Sequence, residues 1–197
     1  MTDLALASML VLGALGSATG CDDDSVTPDA GSDALFEDWE RTCWAGGGTP
    51  SPDVQLTLGY GLDPFEPVTA GQTMPVWLGV AGGVHLHLNA RMQGLFPGDI
   101  DDPEGPAPHT LFSILDQTGE AISAQPCMTS LPYVEVEDGL YELPSGRIVL
   151  IKQELIGELA GMPATVRLEA QDPAGRYAVI EHEVVLGEPM FRLPPEN

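Results

Sequence analysis

The amino-acid sequence predicts an all-β fold, an antiparallel sandwich of short strands behind an exported N-terminus. Three observations carry that expectation. From residue 54 onward apolar side chains recur every second residue, the period at which neighbours on a strand face opposite ways. The alternating runs are short, and turn-forming residues separate them, in a chain with 23 Gly and 18 Pro. The final two runs, residues 165–171 and 177–186, flank Asp172-Pro173-Ala174-Gly175-Arg176, a turn signal that makes them a hairpin.

The chain opens on an apolar run at residues 4–16, followed by Ser17-Ala18-Thr19-Gly20, then Cys21, then Asp22-Asp23-Asp24. Small residues before a cysteine suit a signal peptidase, and the thiol takes a diacylglyceryl chain before cleavage leaves it as the first residue. Residues 1–20 are therefore expected to be a lipoprotein signal peptide and Cys21 the lipidation site, palmitate included. The segment departs from the usual pattern: Asp3 is its only charge, and Ala18 stands where Leu is usual. A misplaced start codon, an ordinary cleaved signal and a spanning helix are the alternatives. A span needs about 20 apolar residues, and this run is shorter and broken by Gly13 and Gly16.

Residues 21–33 comprise the lipidated cysteine and a stretch of Asp, Ser, Thr, Pro, Gly and Ala with Val26 as its one larger apolar side chain. Such a segment cannot bury a core and reads as a flexible acidic tether, with a reach of about 20 Å. Residues 34–197 form the domain. Leu35, Phe36, Trp39 and Cys43 fall on one helical face, Ser32 or Asp33 can cap it, and Gly46 can end it, so the domain begins with a short amphipathic helix. An irregular loop is the alternative there.

The strands follow in order. Val54, Leu56, Leu58 and Tyr60 alternate with Gln55, Thr57 and Gly59. Residues 74–80 and 84–92 flank Ala81-Gly82-Gly83 and are expected to pair as a hairpin. Further strands are expected over 110–116, 120–124, 133–137, 140–143, 147–152, 165–171 and 177–186. The last hairpin looks like the closing hairpin of a bacterial immunoglobulin-like domain. Residues 65–186, with the strand over 84–91, the Pro97-Gly98-Asp99 loop and the Gly175-Arg176 turn, resemble predicted lipoproteins of myxobacteria and related bacteria that have no assigned function. That resemblance implies an immunoglobulin-like β-sandwich and supplies no active residues.

Composition narrows the partners. With 30 acidic against 7 basic residues the formal charge is −23, which argues against nucleic acid and against a polybasic membrane patch. Contact with a membrane is expected through the lipid anchor, and the chain is expected to be a monomer. There are three cysteines. With Cys21 spent on lipid, Cys43 and Cys127 remain as a pair in an oxidising compartment, and a disulfide between them would contribute about 4–5 kcal/mol in the chain-entropy model.

Few residues carry candidate chemistry. His85 and His87, two apart on a strand, share the face turned away from Val84, Leu86 and Leu88 and could grip one transition metal. A further ligand would have to come from His109, His182, Glu181 or Glu183; two histidines on a solvated strand face are the plainer reading. Asp99, Asp101, Asp102 and Glu104 lie in a proline-rich loop that could offer oxygens to calcium, although the spacing does not match the helix-loop-helix calcium site. No Gly-x-Ser-x-Gly elbow occurs, and Ser145-Gly146 reads as a turn. Gly46-Gly47-Gly48 lacks the lysine of a phosphate loop.

The expected function is a non-catalytic cell-envelope lipoprotein, a binding or structural module without a cofactor, facing the periplasm or the cell surface. A metal-binding module holding zinc, copper or calcium is the first alternative. A hydrolase without a recognisable motif is the second. A protein or glycan partner stays open.

Overall fold

The computed structural model describes residues 46–61, 64–79, 82–102, 105–124 and 129–191. The signal peptide and tether, the helix expected over 34–44 and all three cysteines lie outside the described residues. Within them run β1 (Gln55–Tyr60), β2 (Glu66–Pro67), β3 (Thr73–Leu78), β4 (Val84–Gln93), β5 (His109–Leu115), β6 (Thr129–Ser130), β7 (Val134–Glu137), β8 (Leu140–Glu142), β9 (Arg147–Leu150), β10 (Pro163–Gln171) and β11 (Tyr177–Phe191), with a 3-10 helix at Gln153–Glu158. The fold is all-β.

Strand β4 organises the molecule. Its alternation is strict: Val84, Leu86, Leu88, Ala90 and Met92 point inward and are at most 1% exposed, while His85, His87, Asn89 and Arg91 take the other face. At 10 residues it outruns each of the strands beside it, so both of its edges are shared. One edge takes β1 from Tyr60↔Leu88 to Gln55↔Gln93 and β3 at Trp77↔His85 and Leu78↔Val84. The other takes β9 along His85 to Leu88 and β8 at Arg91 and Met92.

The β3–β4 hairpin is thus much shorter than the sequence implies, because β3 leaves β4 to run parallel beside β11. This pair makes the sheet mixed, a correction to the wholly antiparallel fold expected; every other ladder between the described strands is antiparallel. The parallel register shifts between Leu186 and Pro189. Pro189 has no N–H for the ladder, and Gly187 lets the bulged backbone approach closely: a Cβ there would lie 2.9 Å from the Met74 carbonyl oxygen.

From β11 the sheet continues through β10 to β5 in long antiparallel ladders. The strand expected over 120–124 is reduced to single bridges, Leu115↔Ala121 and Ser123↔Ile151. Short as they are, these bridges join the two ends of the sheet. Ile122 N–H donates to the Ile114 carbonyl at 2.8 Å, Lys152 N–H to Ile122 at 2.9 Å and Ile151 N–H to Val84 at 2.8 Å. Backbone pairing therefore runs from β4 through β3, β11, β10 and β5, then through residues 121–124 and the end of β9, back to β4. The circuit closes around one core containing Leu58, Met74, Val76, Leu86, Leu88, Ile114, Val149, Val166, Leu168, Val184 and Leu186. Closure satisfies backbone groups that an open edge would leave bare.

Left-handed backbone is required at specific points. Ser145 and Gly146 are consecutive residues at φ 63 and 56 in the link between β8 and β9, which follow one another along the same edge of β4, and a Cβ on Gly146 would lie 2.8 Å from the Leu88 carbonyl oxygen. Gly94 has φ 83 after β4, and a Cβ there would sit 2.3 Å from the Asp53 carbonyl oxygen, so only glycine fits. β2 and β6, two residues each, are too short to show a period.

Candidate functional site

The outer face of β4 gathers the side chains with most chemical potential. His85 and His87 project from alternate positions on the same face, and the register brings Trp77 of β3 and Leu150 of β9 beside His85, with Ile148 beside His87. The two imidazoles meet. Their Nε2 atoms are 3.0 Å apart, the ring centroids 4.9 Å apart with planes at 30°. Trp77 stacks on His87 at 5.8 Å and 22°.

This face is not the solvated one that a histidine pair would ordinarily occupy. His87 is 7% exposed, His85 is half-buried, and the flanking Ile148 and Leu150 are 58% and 39% exposed. The imidazoles thus sit at the floor of a shallow apolar surround. Among the described residues no group of three or more His, Cys, Asp or Glu side chains assembles as a metal site, so His109, His182, Glu181 and Glu183 do not join the pair.

Farther along the same face the polar groups satisfy one another. Glu142 on β8 accepts from Arg91 Nε at 2.8 Å and Asn89 Nδ2 at 3.3 Å, and Asn89 Oδ1 accepts from the Ala90 N–H. The Arg91 guanidinium lies 4.2 Å from the centroid of the Phe65 ring, which is itself spread over Gly59, where a Cβ would overlap it. These contacts fix the outer layer of the sheet and leave its polar groups engaged with one another.

The acidic loop is organised differently from a calcium site. Asp99, Asp101 and Asp102 are all exposed, and Glu104 lies outside the described residues. Asp99 Oδ1 accepts the Asp101 N–H at 2.9 Å while its carbonyl accepts from Asp102 N–H. These contacts shape a turn. A cleft of about 520 Å³ lies elsewhere, between the β10–β11 ladder and the turn after β5, with Asp116, Thr165, Glu181 and Glu183 in its wall. The Asp116 carboxylate is occupied by Thr118 and the Glu120 N–H; the Thr118 bond, foremost among these, lowers its pKa.

Sequence reasoning missed two buried carboxylates. Asp172, 3% exposed, accepts N–H bonds from Phe96, Ala174 and Arg176 and pairs with the Arg176 guanidinium at 2.7 Å. Burial works to raise its pKa, but these donors outweigh it and hold the group below the ordinary carboxylate value. Glu169, 4% exposed, accepts from Gly47 N–H and Tyr177 Oη and pairs with Arg167. Burial and then the Glu169 contact push the Tyr177 phenol up to about 12. Together with Ser51 N–H to the Tyr177 carbonyl at 2.8 Å, these bonds sew residues 46–51 onto the last hairpin. The only sequence signal for Asp172 is its place as first residue of the turn; Glu169 carries none.

Among the described residues no helix is long and apolar enough to cross a membrane. No family model matches the chain, and neither does any curated protein or solved structure.

Proposed function

We propose that this protein is a lipid-anchored module of the cell envelope, held at the membrane through Cys21 and presenting a non-catalytic β domain for binding or structural support. The observation that carries the reading is the apolar run of residues 4–16 followed by small residues, Cys21 and three aspartates. The acidic tether of residues 22–33 would lift the domain off the bilayer, on the periplasmic side or the cell surface. Glu169, Tyr177 and Ser51 join residues 46–51 of the domain to β10 and β11.

An immunoglobulin-like reading of the domain is supported by strand order. Such sandwiches place their second and fifth strands side by side and flank their sixth with the third and seventh. Here β4 pairs with β9, and β10 lies between β5 and β11.

The test is fractionation. Replacing Cys21 with Ala should move the protein from the detergent-extracted membrane fraction into the soluble fraction, since buried acyl methylenes contribute about 0.8 kcal/mol each. Unchanged membrane partition would overturn the anchor.

A further inference from the structure

We propose that His85 and His87 form a two-imidazole chelate for a divalent transition metal that prefers tetragonal geometry, copper(II) foremost, with water completing the coordination. The inference goes beyond the anchoring role and stands whether or not Cys21 carries lipid. It rests first on distance. With metal–nitrogen bonds of about 2.0–2.1 Å, cis ligands of a square-planar or tetragonal ion lie about 2.9 Å apart and those of a tetrahedral ion about 3.3 Å apart. The two Nε2 atoms are 3.0 Å apart, nearer the tetragonal value; in the metal-free protein they share a hydrogen bond, so the ring that donates must take its Nδ1–H tautomer for both to ligate.

The pair is also placed to persist. Both residues belong to a strand flanked on both edges, His85 by Trp77 and Leu150 and His87 by Ile148 and the Gly61 N–H. Trp77 stacked on His87 limits rotation of that ring. Two donors already at ligand separation lose less freedom on binding than two mobile ones. The same stack leaves His85, half-buried, as the side from which an ion and its waters approach, past the exposed edges of Ile148 and Leu150. A formal charge of −23 draws cations towards the whole surface. Because only two protein ligands converge, the expected binding is of micromolar strength and copper exceeds zinc, following the stability order of divalent ions.

The experiment titrates the purified full chain with copper(II) chloride in a non-coordinating buffer, followed by calorimetry and electron paramagnetic resonance. One copper per chain should bind with two equatorial nitrogens. His85→Gln should weaken binding at least about tenfold. Ile148→His, at an exposed position facing His87, should add a third nitrogen to the spectrum and tighten binding, a readout that does not depend on how well His85→Gln folds. The proposal fails if wild-type protein shows no nitrogen coupling from imidazole, if His85→Gln binds as well as wild type, if zinc binds more tightly than copper, or if Ile148→His leaves affinity and spectrum unchanged.

Discussion

Two buried carboxylates show how a single polar side chain can hold separate parts of the chain together. Asp172 ties the loop at Phe96 to the β10–β11 turn with acceptor bonds only. In Asp172→Asn one oxygen becomes an amide that faces donors, so the variant should lose about 1–3 kcal/mol in urea unfolding at neutral pH. Because the folded-state pKa is depressed, the contribution is fully present above the ordinary carboxylate range and is lost as pH falls below it. The gap between wild type and variant should therefore narrow in acid; a gap independent of pH would contradict this role. Tyr177 works at the opposite end of the scale. Its raised pKa, about 12, makes its contribution complete below the unfolded phenol value of about 10 and lost as pH rises from there. Alkaline titration followed by tyrosinate absorbance should show a late-ionising component that shrinks by one phenol in Tyr177→Phe. That variant should also be less stable by about 1.5–3 kcal/mol for the lost bond to Glu169.

Among the elements, β4 shows how burial follows from being central. Its inward face is fully apolar, and its outward face is covered by Trp77, Phe65 and the Glu142 bonds. Leu86→Ala, at 0% exposure, should cost about 2–5 kcal/mol. Gln93→Ala, at the exposed end of the same strand, should stay within about 0.5 kcal/mol. Urea midpoints of the two variants compare them directly, and similar losses would mean that β4 is not the core strand described. β7 shows the converse: it pairs with β8 alone, and Val134, Glu135, Val136 and Glu137 are all exposed, with glutamates that discourage further strand pairing at this edge.

For the molecule as a whole, closure of the backbone circuit and the acidic surface pull in different directions. Closure leaves few bare edges, and a formal charge of −23 adds self-repulsion to the folded state. A disulfide between Cys43 and Cys127 would offset that repulsion by tying the domain's first segment to the β5–β6 connection. Protein isolated from the envelope should then weigh two hydrogens less before reduction than after, and reductant should lower its thermal midpoint. Free thiols at both positions would exclude the bond.

The all-β class, the inward face of β4, the positions of β1, β5, β10 and β11 and the alignment of His85 with His87 are legible in the chain because each follows from a period of two along a local run. The end of β11 is not. The alternation stops at Leu186, yet the strand continues past Pro189 to Phe191 because β3 lies beside it as a parallel partner. Other features likewise depend on segments distant in sequence. The bridges at residues 121–123 that close the circuit and the burial of Glu169 under residues 46–51 both join stretches whose local patterns say nothing of one another. A period of two states which face a side chain takes; whether that face meets water, a ring or another strand is settled when the sheet closes.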